Sequence, residues 1–221
     1  VLGALTAVGA QTEDDARRLS ALGAQNVVVT GNLKFDVRID PALETLGKQW
    51  RNDILARQAR PIWLAASTRE GEEALILAAH RSLCNLLPNQ HPLLVLVPRH
   101  PQRFNDVATL ITREGFSLNR RSAALPDAAT DVWLGDSMGE MVAYYSLADV
   151  AVIGGSLLPF GGQNLIEAAA CGTPLIIGPH TYNFSAAAQA AEQTGAAIRI
   201  NEGSSEALAL ALSNLIVDPA Q

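Results

Sequence analysis

Two glycine pairs and the polar residues beside them are the strongest candidates for ligand chemistry in this sequence. Gly154-Gly155-Ser156 directly follows an apolar run, and Gly161-Gly162 leads into Gln163-Asn164-Leu165-Ile166-Glu167. Glycine leaves backbone N–H groups exposed and lets a phosphate approach, and a helix N-terminus adds a favourable field. The spacing fits neither a GxGxxG dinucleotide fingerprint nor a P-loop. We therefore predict a phosphate cradle formed by Gly154–Ser156 and the start of a helix at Gln163–Cys171.

Two polar side chains follow the second glycine pair with helical spacing. Asn164 and Glu167 are three residues apart, so they share one face of the predicted helix. Alanines at positions 168–170 flank Glu167, and we expect its carboxylate to be half-buried. Such a carboxylate needs hydrogen-bond donors, and the hydroxyls of a ribose would provide them. This segment therefore predicts a nucleotide site.

The residues Ser67, Thr68 and Arg69 follow another apolar run and allow two interpretations. Ser67 and Glu70 have the spacing of a capping box, which predicts a well-capped helix with acidic residues in its first turn. Alternatively, the hydroxyls of Ser67 and Thr68 bind an anion at the start of that helix, with Arg69 nearby. Three acidic residues close by weaken the second interpretation.

Arg99 and His100 lie between two prolines, in the loop after the apolar run Leu93–Val97. Loops are commonly polar, so an ordinary surface loop is one interpretation. The other is that the Arg99 guanidinium makes a bidentate bond to a carboxylate or a phosphate.

The loop Gly135–Glu140 also allows two interpretations. It is either a tight turn in which Asp136 or Ser137 caps the next helix, or a loop whose backbone reaches a nucleotide base. In the second case Gly139, next to Met138, permits the close approach.

His180 stands in a glycine-proline turn after a strand. A lone histidine is commonly structural or merely exposed. Because ligands bind at the carboxyl ends of parallel strands, we expect this histidine to point at the cleft.

Composition excludes several other classes of function. Lysine plus arginine number 16 and aspartate plus glutamate 22, and the net charge of −6 argues against nonspecific nucleic-acid binding. The four histidines and two cysteines lack metal-ligand or disulfide spacing, so we predict no metal and no cofactor. No GxSxG nucleophile elbow is present. The apolar runs are strand-sized and the first residues lack a signal-peptide pattern, so we expect neither a membrane span nor a leader.

Short apolar strands alternate with amphipathic helices along most of the chain, which predicts an α/β fold with a parallel, Rossmann-like sheet covered by helices on both faces. An apolar run at 2–8, a helix at 12–22, a strand at 26–30 and a helix within 41–59 come first. From residue 61 onward, the predicted strands are 62–66, 93–97, 116–119, 131–134, 150–153, 175–177 and 197–200. The predicted helices there are 70–87, 101–113, 138–147, 165–171, 184–194 and 205–217. The first 34 residues are too few for a domain, so we expect a fragment of a longer chain.

Seven motifs in a fixed order resemble the 3-deoxy-D-manno-octulosonic acid (Kdo) transferases of Gram-negative bacteria. The resemblance covers nearly the whole chain and corresponds to the C-terminal half of that family, which has the GT-B fold of two Rossmann-like domains. The motifs are Val29–Asp36, Ala66–Glu73, Pro98–Pro101, Asp136–Glu140, Gly154–Leu157, Gly161–Asn164 with Glu167, and Gly178–His180 with Asn183-Phe184.

The resemblance implies an inverting glycosyltransferase that moves Kdo from CMP-Kdo to the lipid A precursor, without a metal. Residues 1–34 would end the N-terminal acceptor domain, 35–60 would connect the domains, and 61–221 would be a truncated C-terminal domain that binds the nucleotide sugar. The missing N-terminal half would carry the catalytic base and the lipid acceptor site. The enzyme would act at the cytoplasmic face of the bacterial inner membrane.

The resemblance also implies a set of donor-binding residues, and no catalytic residue in this chain. Members of the family often have histidine where Arg69 and Gln163 stand and proline where Leu165 stands, which puts an acid–base role for Gln163 in doubt. The implied donor-binding residues are Ser67, Thr68, Arg99, Met138, Gly139, Gly154, Gly155, Ser156, Gly161, Gly162, Gln163, Asn164, Glu167 and His180.

Two other functions remain open on the sequence. One is a nucleotide-sugar epimerase of the same fold, which would need its own acids and histidines around the sugar. The other is a nucleotide-binding fragment without catalysis, since no candidate base for an acceptor hydroxyl stands out. We expect weak donor binding and no transfer by these residues alone.

Overall fold

The computed structural model describes residues 2–31 and 37–218. The chain divides into two compact units, Val1–Arg38 and Ile39–Gln221. This boundary places the helical part of the expected 35–60 connection in the second unit rather than in a separate linker.

The first unit contains one parallel strand pair and one helix. Strand β1 is Val8–Ala10, helix α1 is Glu13–Ala21 and strand β2 is Val27–Val29. Thr12 caps α1 as predicted, because its hydroxyl accepts the N–H of Asp15 at 3.1 Å. The apolar run at 2–8 contributes only Val8 to the strand, since residues 2–4 form a 3-10 turn. Of the motif Val29–Asp36, residues 32–36 lie outside the described residues.

The second unit is built on a seven-stranded parallel sheet with the order β5-β6-β4-β3-β7-β8-β9. This confirms the predicted Rossmann-like α/β class. The strands are β3 Ile62–Thr68, β4 Leu93–Pro98, β5 Leu118–Arg120, β6 Val132–Leu134, β7 Val150–Ile153, β8 Leu175–Ile177 and β9 Ala197–Arg199. The helices are α2 Pro41–Arg57, α3 Glu72–Leu86, α4 Phe104–Arg113, α5 Met141–Leu147, α6 Ile166–Ala170, α7 Ser185–Gln193 and α8 Ser205–Val217.

Helices pack on both faces of this sheet. Strands buried on two faces alternate their side chains, so Trp63 and Ala65 of β3 join one core cluster with α3, α4 and α8. On the other face, Trp50 of α2 packs edge to face on Trp133 of β6, with ring centroids 5.4 Å apart. Helix α2 therefore belongs to the core of this unit.

Helices α3 and α5 begin later than the sequence pattern predicts, and a glycine explains each of these starts. Gly71 and Gly139 have φ of +90° and +78°, a left-handed conformation that cannot continue a right-handed helix. Helix α3 therefore begins at Glu72 rather than residue 70, and α5 at Met141 rather than residue 138.

The order of the strands defines the place where a ligand would bind. From β3 the chain moves to β4 on one side, and β7, β8 and β9 follow on the other side. In open parallel sheets, ligands occupy the crevice outside the carboxyl ends of the two strands at this reversal. The loops that follow β3 and β7 therefore form the centre of the candidate site.

Candidate functional site

The loops after β3 and β7 are in direct contact. A β-carbon built on Gly154 would lie 2.4 Å from the carbonyl oxygen of Ser67, so only glycine fits there. The Gly154 N–H donates to the carbonyl of Ala66 at 2.8 Å. The predicted residues of these two loops are thus brought to one place.

A narrow cleft beside this contact gathers four of the predicted residues. Ser67, Arg99, Met138 and Gly139 line it together, and the side chain of Met138 is largely exposed. The Arg99 N–H donates to the carbonyl of Thr68 at 3.0 Å, which fixes the loop after β4 against the end of β3. The Arg99 side chain is exposed at this edge of the sheet, where its guanidinium can meet an anion.

The loop that carries Met138 and Gly139 is held in place by ion pairs from the end of β5 and the turn that follows it. Arg120 pairs with Asp136 at 2.7 Å, and Arg121 pairs with Glu140 at 2.9 Å. Burial acts to raise the pKa of Asp136, but hydrogen bonds from Ser122 and Arg120 outweigh it and lower that pKa. Sequence reasoning missed these arginines, since nothing in the local pattern links residues 120–122 to residues 136–140.

Glycine loops on the other side of the crevice also converge. The N–H groups of Gly162 and Gln163 donate to the carbonyls of Gly155 and Gly154 at 2.7 and 3.0 Å. The N–H of His180 donates to the carbonyl of Ser156 at 3.0 Å. The structure therefore brings the predicted residues at 154–156, 161–163 and 180 together.

These same bonds correct the predicted phosphate cradle. The N–H groups of Gly154, Gly155, Gly162 and Gln163 all donate within the protein, so none of them is free for a phosphate. The hydroxyl of the buried Ser156 donates to the carbonyl of Ile153 and accepts the N–H of Gly178. The prediction that the Gly154–Ser156 turn offers these groups to a ligand was wrong, because buried polar groups find partners inside the fold.

Helix α6 is shorter than predicted. It begins at Ile166 and has five residues, and the left-handed Gly161 and Gly162 keep the preceding segment out of a helix. The Oδ1 atom of Asn164 accepts the N–H of Ile166 at 3.1 Å. Gln163 and Asn164 therefore lie in the loop before the helix rather than within it.

Glu167 lies in the first turn of α6, where its charge is favoured by the helix dipole. It is half-buried, as predicted, and no hydrogen bond to its carboxylate occurs in the part of the chain that the structure describes. Burial, and secondly the charge of Glu167, raise the pKa of the neighbouring Tyr145 hydroxyl. Glu167 thus offers a carboxylate with open hydrogen-bonding capacity at the start of the helix that follows the Gly161-Gly162 loop.

Thr68 does not serve as a ligand donor, and the predicted capping box does not form. The fully buried Thr68 hydroxyl donates to Glu73 at 2.8 Å, and Arg103 pairs with the same carboxylate. This bond to Glu73 raises the pKa of Arg103. The residue that precedes α3 is Gly71, which offers no side-chain cap, so the Ser67–Glu70 interpretation was wrong.

The two acids that open α3 were expected only to complement its dipole, but they are almost fully buried. Glu72 accepts the N–H groups of Arg69, Gly155 and Leu157 at 2.8, 2.7 and 3.0 Å. Burial raises the pKa of Glu72, and these amide bonds oppose the shift. The triplet Gly71-Glu72-Glu73 after a strand, here called the GEE triplet, is a signal for such a residue. The distant partners of Glu72 cannot be read from the spacing.

The loop that carries His180 is braced from behind. Arg199 of β9 donates to the carbonyl of Gly178 at 3.0 Å and to the hydroxyl of Thr181 at 3.1 Å. Its guanidinium also pairs with Glu192 at 2.7 Å. The half-buried His180 is therefore held on a fixed turn at the carboxyl end of β8.

A larger cavity of about 530 Å³ lies at the opposite, amino edge of the sheet. The ion pair of Arg51 with Asp149 lines it, and none of the predicted site residues does. We place the candidate site at the carboxyl edge despite this larger volume, because the topology and the convergent polar groups meet there.

Within residues 2–31 and 37–218, no group of three or more histidine, cysteine, aspartate or glutamate side chains is arranged to hold a metal ion. Among the same residues, no helix has the length and apolar character needed to cross a membrane.

Comparisons with known proteins agree with this architecture. The family model described as 3-deoxy-D-manno-octulosonic-acid transferase (kdotransferase) matches residues 1–37. A 3-deoxy-D-manno-octulosonic acid transferase from Bordetella pertussis is 45% identical over 100% of this chain and 51% of its own length. One from Haemophilus influenzae is 43% identical over 81% of this chain and 42% of its own length. The chain thus spans about half the length of the curated relatives it matches.

The solved structures similar to this chain include one described as a C-terminal CMP-Kdo binding domain. The C-terminal CMP-Kdo binding domain of WaaA from Acinetobacter baumannii superposes with a TM-score of 0.73 and 29% identity, covering 82% of this chain and 93% of that one. A UDP-GlcNAc 2-epimerase from Neisseria meningitidis shares the fold alone, with a TM-score of 0.54 and 17% identity over 96% of this chain and 52% of that one. The chain is therefore similar in sequence to Kdo transferases, of which it spans about half, and similar in fold to a CMP-Kdo binding domain.

Proposed function

We propose that this chain is the donor-binding half of a Kdo transferase and that CMP-Kdo binds at the carboxyl edge of its seven-stranded sheet. The observation that carries the proposal is the convergence of most predicted residues on the crevice between β3 and β7. The likeness to a structure described as a CMP-Kdo binding domain supports the same ligand.

Each part of the donor has a chemically suitable neighbour in this crevice. The open carboxylate of Glu167 accepts hydrogen bonds from the ribose hydroxyls. Met138 and Gly139 lie along the cytosine, on the loop fixed by Asp136 and Glu140. The Arg99 guanidinium pairs with the phosphate or with the Kdo carboxylate.

The remaining side chains serve the sugar. The Ser67 hydroxyl adds a donor in the cleft, and Asn164 and His180 face the Kdo ring. Gly161 and Gly162 shape the backbone beneath the Kdo ring. Thr68 is not among the proposed donor-binding residues, because its hydroxyl donates to Glu73.

In the proposed reaction, an acceptor hydroxyl of lipid IVA attacks the anomeric carbon of Kdo from the face opposite the phosphate. The bond from that carbon to the phosphate oxygen breaks, the configuration inverts and CMP leaves with the bonding electrons. Arg99 stabilises the charge that develops on CMP, and no metal takes part. The proton of the hydroxyl passes to a base that the N-terminal half of the enzyme supplies.

This division of labour gives two further proposals. The whole enzyme works at the cytoplasmic face of the inner membrane, where its N-terminal half meets the lipid acceptor. These 221 residues alone bind the donor weakly and transfer nothing, because the base and the acceptor site lie in the other half.

Calorimetric titration of the chain with CMP and with UDP tests the proposal. We expect CMP to bind more tightly than UDP, and Arg99→Ala and Glu167→Ala each to weaken CMP binding roughly tenfold or more. Arg113→Ala, an exposed arginine at the end of α4, is the matched control and should bind as the unaltered chain does. Preference for UDP would favour the epimerase alternative, and unchanged binding in both variants would refute the site.

A further inference from the structure

Glu72 is a carboxylate enclosed by backbone amides from two separate loops. It is 0% exposed. Its Oε2 atom accepts the N–H of Arg69 at 2.8 Å and that of Gly155 at 2.7 Å, and its Oε1 atom accepts the N–H of Leu157 at 3.0 Å. Arg69 follows β3, whereas Gly155 and Leu157 follow β7. One side chain thus bridges the two strands at which the sheet order reverses.

The negative charge of Glu72 is balanced without an ion pair. Within residues 2–31 and 37–218, no lysine or arginine forms a salt bridge with it, whereas its neighbour Glu73 pairs with Arg103. Glu72 instead opens helix α3, where free N–H groups and the helix dipole favour an anion. A carboxylate that is buried in this way depends on its amide donors, and those amides depend on it.

The hold on Gly155 extends to the residues proposed for the donor. The carbonyls of Gly155 and Gly154 accept the N–H groups of Gly162 and Gln163, the residues that lead to Asn164 and then to Glu167. On the β3 side, the Arg69 amide fixes the turn in which Ser67 has a φ of +56°. Displacing the Glu72 carboxylate would therefore move both walls of the crevice.

We propose that Glu72 is a positioning residue for the sugar donor: its carboxylate takes the place of a bound anion in the amide pocket between the β3 and β7 loops and fixes the surface on which the nucleotide lies. This inference rests on the proposed function. It gives an acidic residue of the GEE triplet a role that does not involve contact with the ligand.

The test is Glu72→Gln in the 221-residue chain, studied by amide hydrogen exchange and by titration with CMP. The glutamine turns an N–H₂ group toward amides that need an acceptor, so the loops lose their anchor. We expect exchange at Gly155 and Leu157 to accelerate at least tenfold relative to Val95 in the interior strand β4, which reports global unfolding. We expect CMP binding to weaken at least tenfold at a temperature where the variant remains folded.

Two controls separate positioning from general destabilisation. Glu73→Gln removes an equally buried charge on the same turn. In this variant the exchange rates of Gly155 and Leu157, each divided by the rate of Val95, should stay within about threefold of the same ratios in the wild type. Asp149→Asn removes a backbone-bonded carboxylate at the amino edge and should leave CMP affinity unchanged. A merely structural role for Glu72 would lower stability without this selective effect on two amides and on CMP.

The outcomes are distinguishable. Unchanged relative exchange at Gly155 and Leu157 would overturn the inference, and so would faster exchange with unchanged CMP affinity. If the unaltered chain failed to bind CMP, the proposed function would fall, and the exchange rates would still decide whether Glu72 anchors the loops. If Glu72→Gln does not fold, the anchor is tested in the unaltered chain by NMR. The measurement is the scalar coupling between the Gly155 nitrogen and the Glu72 carboxyl carbon across their hydrogen bond. Its presence supports the anchor, and its absence refutes it.

Discussion

The indole N–H of Trp63 donates to Nδ1 of His80 at 3.2 Å in the interior of the second unit. Both side chains are fully buried, and the ring of Phe116 lies 5.3 Å from the imidazole centroid. This bond assigns the Nδ1 atom as an acceptor, so the imidazole is held in its neutral form.

The burial of His80 predicts a loss of stability on mild acidification. Burial lowers its pKa from the usual 6.5 to about 4. Between these values the unfolded chain binds the proton and the folded chain does not, so stability is complete above pH 6.5 and falls as pH decreases toward 4. The loss attributable to this group is roughly 3 kcal/mol. Urea denaturation at pH 7.5 and pH 4.5 measures it.

The comparison for this prediction is His80→Gln, which retains a hydrogen-bond acceptor without titrating in this range. The variant should lose markedly less stability over the same interval than the wild type does. Identical pH dependence in the two proteins would show that His80 does not supply the proton linkage.

Gly47 permits the close packing of α2 on α5. A β-carbon at this position would lie 2.2 Å from the carbonyl oxygen of Ala143, a backbone atom that cannot rotate away. We therefore expect Gly47→Ala to lower the free energy of unfolding of the second unit by about 1–3 kcal/mol, despite alanine's better helix propensity. Lys48→Ala, at the exposed next position, should change it by less than about 0.5 kcal/mol. Equal denaturation midpoints for the two variants would contradict the packing of α2 in this unit.

Ser67 combines a strained backbone with a position in the cleft. Its φ of +56° is unfavourable for a residue with a β-carbon. Ser67→Gly and Ser67→Ala both remove the hydroxyl, so we expect CMP binding to weaken by a similar factor in both. The glycine variant should be about 1 kcal/mol more stable than the alanine variant in thermal or urea denaturation, because only glycine relieves the strain. A glycine variant less stable than the alanine variant would show that the turn is unstrained.

Asp136 anchors the loop proposed to contact the cytosine. It accepts hydrogen bonds from the backbone and hydroxyl of Ser122 and pairs with Arg120. We expect Asp136→Asn to weaken CMP binding about tenfold through a looser loop, and to lower stability by about 1–3 kcal/mol. Asp106→Asn, at an exposed position of helix α4, is the control for the loss of one acidic charge. Calorimetric titration and urea denaturation of the two variants distinguish these effects.

The fold could be predicted from the sequence because strands and helices of the second unit carry strong local signals. Apolar runs such as Leu93–Val97 and glycine stops set the pattern of a parallel sheet, and a parallel sheet places its ligands at one edge. The residues at the ends of β3, β4 and β7 could therefore be named as candidates before the structure was considered.

What the sequence could not predict is how polar groups share their hydrogen bonds. Gly155 meets Glu72 across more than eighty positions, and Thr68 is taken by Glu73 and Arg103 through side-chain packing. Such partners depend on the three-dimensional approach of loops, which local spacing does not encode. The predicted helix α6 was too long for the same reason, because the left-handed Gly161 and Gly162 delay its start to Ile166.

The internal bonding of the glycine loops has a thermodynamic consequence for binding. The N–H groups of Gly154, Gly155, Gly162 and Gln163 already donate within the protein. The backbone of these loops would therefore need no further ordering when a nucleotide binds at the crevice. The conformational entropy of these loops would have been lost during folding rather than at association. Such a rigid, preorganised surface is what the proposed donor half would need in order to present its sugar in one orientation to an acceptor half.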